Sequence, residues 1–180
     1  MRGRVFAVVG PSGVGKDTLL AGATAASPRL HWARRCITRP FVGGGEPFVG
    51  VSTEQFAEMQ NDGDFALSWQ AHGLSYGISR GEFTDLDQGC DVLFNGSRAA
   101  LPAALARFPN LKVLRITAPS KVLAERLAAR GRETMAQIDA RLARAGYELP
   151  AGLPVIDIAN DATPSEGVAR LLAALHPVIG

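Results

Sequence analysis

Val5-Phe6-Ala7-Val8-Val9 is a run of consecutive apolar positions rich in β-branched residues. A short run with no polar alternation predicts a strand buried on both faces, as in a parallel sheet. Cys90–Asn95, Leu111–Thr117 and Pro154–Ile158 have the same character and predict further buried strands. Between them the apolar positions fall at helical spacing. Helices are predicted from about Thr18 to Ala26, over Ala99–Phe108, and over Ser120–Arg130 with Ser120 as N-cap and Gly131 just past the end. Thr134 with Gln137, and Thr163 with Glu166 behind Pro164, have the spacing of capping boxes and start two more helices. Strands alternating with helices predict an α/β fold with a parallel sheet.

The stretch Arg39 to Arg80 breaks this rhythm. It opens with a proline and three glycines between Pro40 and Gly45. A short strand near Val49–Val51 follows, then a helix capped by Ser52 with Gln55, then a hairpin over Phe65–Ile78 that turns near Gly73. The pattern predicts a small α+β lobe (about 39–80) inserted after the second strand of a core made of 1–38 and 90–180.

Composition adds bounds. The 180 residues suit one domain, and 47% hydrophobic with 20% charged residues supports a packed core. A net charge of +2 argues against nucleic acid or an anionic membrane as partner. No apolar run approaches membrane-spanning length, and the early strand pattern leaves no room for a signal peptide, so a cytoplasmic location is expected. Cys36 and Cys90 lack metal-type spacing and are expected to be buried thiols. A homodimer stays open.

The chemistry begins at Gly10-Pro11-Ser12-Gly13-Val14-Gly15-Lys16, which fits G-x-x-x-x-G-K between a strand and a helix. The glycines let the backbone curl so that successive N–H groups point at phosphate oxygens. The helix that follows aims its positive dipole end at the same anion. Lys16 is placed to reach the β- and γ-phosphates of ATP and neutralise charge during transfer. Asp17 stands where a Ser or Thr usually binds Mg²⁺, with Thr18 next. Two readings of Asp17 stand side by side: a hard oxygen ligand for Mg²⁺, or a carboxylate that caps the helix.

These segments, with ITRP at Ile37–Pro40, GGE at Gly44–Glu46, VSTEQFAEM at Val51–Met59, GDFALSW at Gly63–Trp69 and Tyr76-Gly77, resemble the guanylate kinases in content and order. So do ITAPSKVLAERLAARGRE at Ile116–Glu133, a following helix with Arg141, and Asn160-Asp161. The resemblance implies a P-loop three-layer α/β fold, an inserted lobe that binds the acceptor, and a helical lid at about 126–141 whose arginines close over ATP. Where that family has guanine-reading and phosphate-binding residues, this chain has Val42, Phe48, Ser68 and Asn95. Unmatched base edges abolish recognition. These residues by themselves imply a kinase with an anionic, non-guanine acceptor. GKDT at Gly15–Thr18, FALSWQAHGLSYGI at Phe65–Ile78 and NGSR at Asn95–Arg98 are similar to the ribose 1,5-bisphosphate phosphokinases, a branch of the guanylate-kinase-like family serving phosphonate degradation. That resemblance implies transfer from ATP to a small phosphorylated sugar, ribose 1,5-bisphosphate, giving ADP and 5-phosphoribosyl 1-diphosphate.

A phosphate acceptor is already ionised near neutral pH, so positioning and charge neutralisation should carry catalysis. Lys16, Arg126 and Arg130 are the catalytic candidates. Arg126 and Arg130 share a helix face and, with Arg132, form either a lid or a solvated basic face; the resemblance favours the lid. Gly10 to Thr18 would bind ATP. Arg39 and Arg98 are the first candidates for the acceptor's phosphates. Tyr76, Ser68, Gln70, His72, Asn95, Ser97 and Arg141 are further acceptor candidates, while Arg144 reads as surface and Trp69 as core. His31 and His176 are given no role. No Asp ends the Asp91–Phe94 run, so Asn95 or water is expected where a second metal ligand often stands. Two rivals remain: a nucleoside monophosphate kinase, and a non-catalytic interaction module, against which the intact phosphate loop argues. An N-K-x-D guanine signature is missing.

Overall fold

The computed structural model describes residues 1–41, 43, 45–143 and 148–176. Val42, Gly44 and Arg144 lie outside the described residues.

In chain order the elements are β1 (Val5–Val9), α1 (Lys16–Ala26), β2 (Leu30–Ala33), β3 (Cys36–Ile37), β4 (Val49–Gly50), α2 (Thr53–Asn61), β5 (Phe65–Ala71) and β6 (Leu74–Ser79). A 3₁₀ stretch, Arg80–Gln88, leads to β7 (Asp91–Asn95), and a 3₁₀ turn, Arg98–Ala100, leads to α3 (Leu101–Arg107). Then come β8 (Lys112–Thr117), α4 (Ser120–Ala129), α5 (Met135–Ala143), β9 (Val155–Ala159) and α6 (Pro164–Leu175).

The core sheet has the order β2-β7-β1-β8-β9, and all its neighbours are parallel. β1 lies in the middle and buries both faces. Val5, Ala7 and Val9 pack with Phe94, Leu101 and Ile78, while Phe6 and Val8 pack with Leu19, Leu20 and Leu171. Continuous apolar character follows from this double burial. The strand order brings the carboxyl ends of β1 and β7 side by side, a place where parallel α/β sheets bind ligands.

The second sheet, β4-β3-β6-β5, starts at Cys36, slightly before the expected lobe boundary at Arg39. Its hairpin joins β5 and β6 through His72 and Gly73, both with positive φ (52° and 73°), the twist that a two-residue hairpin favours. Trp69 pairs with Tyr76 across the strands, with rings stacked at 5.5 Å between centroids. Phe48, Leu67, Trp69, Tyr76 and Ile78 share one apolar cluster with the odd positions of β1, so the two sheets are joined by a common core.

The three expected capping boxes form, at Ser52/Gln55, Thr134/Gln137 and Thr163/Glu166. Each such cap contributes about 1 kcal/mol. Ser120 is not the cap of its helix: Pro119 takes that place (φ −58°, ψ 145°), with no side-chain bond. The helix expected over Ala99–Phe108 is split, with a 3₁₀ turn before α3. Cys36 is buried and burial raises its pKa, whereas Cys90 is only partly covered. Among the described residues no helix is long and apolar enough to cross a membrane.

Candidate active site

The loop from Gly10 to Lys16 leaves the carboxyl end of β1 and enters α1 directly. Gly15 occupies the cap position with φ 93°, and a Cβ there would lie 2.6 Å from the amide nitrogen of Asn160. Only glycine meets both conditions. Asn160 follows β9 and braces the loop from behind. Its Nδ2 donates to the Val14 carbonyl at 2.8 Å, and Arg126 Nη1 donates to the same carbonyl at 3.1 Å. Arg126 also donates to the Asn160 carbonyl at 2.7 Å. In this conformation Arg126 therefore holds the underside of the loop. Gly13 is buried against Leu127 of α4.

Lys16 folds back on its own loop. Its ammonium donates to the carbonyls of Gly10 (2.7 Å) and Pro11 (3.3 Å). Burial lowers its pKa to about 8; Asp17 and Glu46 nearby oppose the shift, and Arg35 and Arg130 reinforce it. Asp17 does not cap α1. Its Oδ1 accepts from Asn95 Nδ2 at 3.0 Å, and the same amide approaches Glu46 Oε2 at 3.4 Å. Thr18 is exposed on the first turn of α1.

Two cavities flank this loop. The first, about 430 Å³, is lined by Ser12 and Lys16 of the loop together with Arg35, His72, Tyr76 and Arg98. Gly10, Pro11, Asn95 and Ser97 also line it. The Ser97 hydroxyl and the Trp69 indole nitrogen are buried with no protein partner, and other atoms of both residues line this cavity. The second cavity, about 680 Å³, is bounded by Asp17, Glu46, Arg39, Phe48, Arg130 and Arg132. Arg39 and Arg98, the first two acceptor candidates, thus line different cavities. Arg39 lies over the Phe48 ring, 4.5 Å from its centroid.

Other candidates stand apart. Side chains alternate along β5, so Ser68 and Gln70 point away from the face of Trp69 and Ala71, and neither lines the first cavity. Arg141 is ion-paired to Glu133 at 2.6 Å and lines neither cavity. His31 bonds Glu82 at 2.7 Å in a surface cluster, and His176 ends α6.

Two residues to which the sequence gives no role, Arg35 and Glu46, pair beside the loop, one lining each cavity. Arg35 donates from Nε to Glu46 Oε1 at 2.6 Å and from Nη2 to Oε2, and Glu46 is 7% exposed. The Arg35 guanidinium also lies 4.9 Å from the Tyr76 ring centroid. The signals were a basic pair, Arg34-Arg35, ahead of a short strand, and a lone Glu among glycines and aromatics.

Asp17 and Glu46 are the carboxylates at the second cavity, and among the described residues no group of three or more His, Cys, Asp or Glu side chains converges. An open, oxygen-only donor set suits Mg²⁺, which keeps waters and shares its remaining positions with phosphates. The residues present therefore fit that ion.

The fold and the loop define a P-loop protein of guanylate-kinase-like architecture. A solved guanylate kinase from Anaplasma phagocytophilum superimposes with a TM-score of 0.65 at 18% identity, covering 97% of this chain and 85% of that one. The chain belongs to the ribose 1,5-bisphosphate phosphokinase family. It is 50% identical over 190 residues to ribose 1,5-bisphosphate phosphokinase PhnN of Pseudomonas fluorescens, covering 97% of this chain and 96% of that protein. It is 45% identical over 175 residues to a bifunctional ribose 1,5-bisphosphokinase-thymidine phosphorylase of Cupriavidus necator, of which it spans 29%. No family model matches the chain.

Proposed function

We propose that the chain uses ATP and Mg²⁺ to phosphorylate ribose 1,5-bisphosphate, releasing ADP and 5-phosphoribosyl 1-diphosphate. The observation that carries this reading is a single cavity lined by Ser12 and Lys16 together with Arg35, Tyr76, Ser97 and Arg98. Membership of a family whose relatives bear that activity in their names supports it.

The loop N–H groups and the start of α1 receive the β- and γ-phosphates of ATP. Lys16 exchanges the carbonyls of Gly10 and Pro11 for those phosphate oxygens. Asp17, with Glu46 beside it, is the carboxylate that would hold Mg²⁺, which supplies charge neutralisation at the phosphates. Arg35, Arg98, Tyr76 and Ser97 orient the acceptor, with His72 lining the same cavity. An oxygen of the acceptor's 1-phosphate forms the new bond to the γ-phosphorus. The bond from that phosphorus to the β–γ bridging oxygen breaks, and its electron pair leaves with ADP. The attacking oxygen is ionised already, so no side chain takes a proton. Arg130 and Arg132, with Arg39 opposite, line the second cavity and serve as the closing lid. The lobe at about 39–80 contributes Tyr76 and His72 to the acceptor's cavity beside Arg35, Ser97 and Arg98, and in the segment at about 126–141 it is Arg130 and Arg132 that close over ATP.

The test is ADP release with ribose 1,5-bisphosphate, ribose 5-phosphate and GMP compared as acceptors. Turnover confined to ribose 1,5-bisphosphate is expected. Preference for GMP would overturn the assignment in favour of a guanylate kinase.

A further inference from the structure

The amino end of β1 borders a third cavity, of about 510 Å³, on the opposite edge of the core sheet from the phosphate loop. That volume falls in the range of small-molecule sites. Val5, Leu86 and Leu111 form its apolar floor, together with the Phe83 and Phe108 rings, whose centroids are 4.8 Å apart. Its rim is basic, with Arg2, Arg4, Arg80 and Arg107 set against Asp87 alone. Arg2 is paired with Asp87 at 3.1 Å, and Arg4 with Asp91 at 2.6 Å, so their charges are compensated. Arg80 and Arg107 differ. Arg80 Nε donates to the Gly63 carbonyl at 2.6 Å, and the Arg107 guanidinium lies 5.3 Å from the Phe108 ring centroid. Among the described residues neither has a carboxylate partner. Each fork therefore retains N–H donors for an anion.

We propose that this cavity binds an organic phosphate carrying an apolar or planar group. The phosphate sits on Arg80 and Arg107, and the apolar part rests on Phe83, Phe108 and Leu111. Two uncompensated guanidinium forks beside an apolar floor satisfy both halves of such a ligand. The site is distinct from the phosphate loop, since β1 separates them by roughly 15 Å at the usual rise of a strand. Its walls come from both sheets. Ala66 and Arg80 belong to β5 and to the segment after β6, while Arg107 and Leu111 join α3 to β8. A bound ligand ties the second sheet to the core, and so bears on how the acceptor side moves relative to the phosphate loop.

The experiment is titration of the full chain with phenyl phosphate, followed by methyl NMR. Saturable shifts are expected at the methyls of Val5, Leu86 and Leu111, and they persist in Lys16→Ala. Arg107→Gln, and the double variant Arg80→Gln with Arg107→Gln, should raise Kd, the latter by about tenfold or more. Arg107→Lys keeps the charge but loses the fork and should fall between wild type and Arg107→Gln. Shifts confined to methyls beside the loop, at Val14 and Leu127, would overturn the proposal. So would benzyl alcohol binding as tightly as phenyl phosphate, or a Kd unmoved by Arg107→Gln.

Discussion

Lys16 and Arg35 both line the cavity beside the phosphate loop, and their partners differ in kind. Lys16 rests on two carbonyl oxygens of its own loop, which are neutral dipoles. Arg35 is locked by paired hydrogen bonds to Glu46, a formal charge buried beside it. An incoming phosphate outbids carbonyls for an ammonium, because the new hydrogen bonds are assisted by charge on both partners. It does not displace a buried carboxylate as readily. The loop's cation is therefore movable, and the wall's cation is fixed with the shape of the wall. Transfer needs one of each: a charge that follows the phosphoryl group, and a charge that sets where the acceptor lies.

The largest expected effect breaks the movable side. Lys16→Ala should lower kcat by about a thousandfold, the scale of losing a cation that stabilises the transferred phosphoryl group, with the fold intact by circular dichroism. A merely structural Lys16 would instead reduce the melting temperature and spare the rate.

Breaking the fixed side acts on stability. Arg35→Ala strands the Glu46 carboxylate, and chemical denaturation should register a loss of about 3–5 kcal/mol. Adding Glu46→Gln removes the stranded charge and should recover part of that loss. No recovery would mean that Arg35 acts by packing on Tyr76 and not through the ion pair.

The brace beneath the loop should show a smaller effect. Asn160→Ala removes one of two donors from the Val14 carbonyl and leaves Arg126 with the other. KM for ATP should rise by about tenfold, in line with about 1–2 kcal/mol for a buried hydrogen bond. An unchanged KM would separate Asn160 from loop geometry.

The gentlest test uses pH. Burial favours neutral Lys16 in the free chain, whereas bound phosphates favour the ammonium, so binding ATP takes up a proton once Lys16 has lost one. Affinity for ATP should thus fall as pH rises past about 8, measured by calorimetry from neutral pH upward. A Kd that stays flat across that range would mean that Lys16 keeps its proton in the free chain.

The contrast between the two sides also marks what the sequence could reveal. The phosphate loop is local: its glycines, its Lys16, the strand before it and the helix after it are contiguous, so their geometry is legible from spacing alone. The capping boxes at Ser52, Thr134 and Thr163 are legible for the same reason. The wall proposed for the acceptor draws on Arg35, Tyr76, Ser97 and Arg98, which come from separate segments brought together by two sheets. No spacing rule connects Arg35 to Glu46. Ser68 and Gln70 were expected at the acceptor, but the period-two alternation of β5, anchored by buried Leu67 and Trp69, turns them away from the first cavity. Leu30–Ala33 escaped naming as the second core strand because it is short and His31 interrupts its apolar pattern. Arg80–Gln88 escaped because a 3₁₀ stretch lacks the 3.6-residue period.

The central claim is that the phosphoryl group moves onto the anomeric phosphate of the sugar, and phosphorus NMR of the reaction tests it most directly. With ATP, Mg²⁺ and ribose 1,5-bisphosphate, the account predicts loss of the anomeric monophosphate signal and growth of paired diphosphate resonances in step with ADP. Conversion of GMP to GDP in preference, or ADP accompanied only by inorganic phosphate, would contradict it.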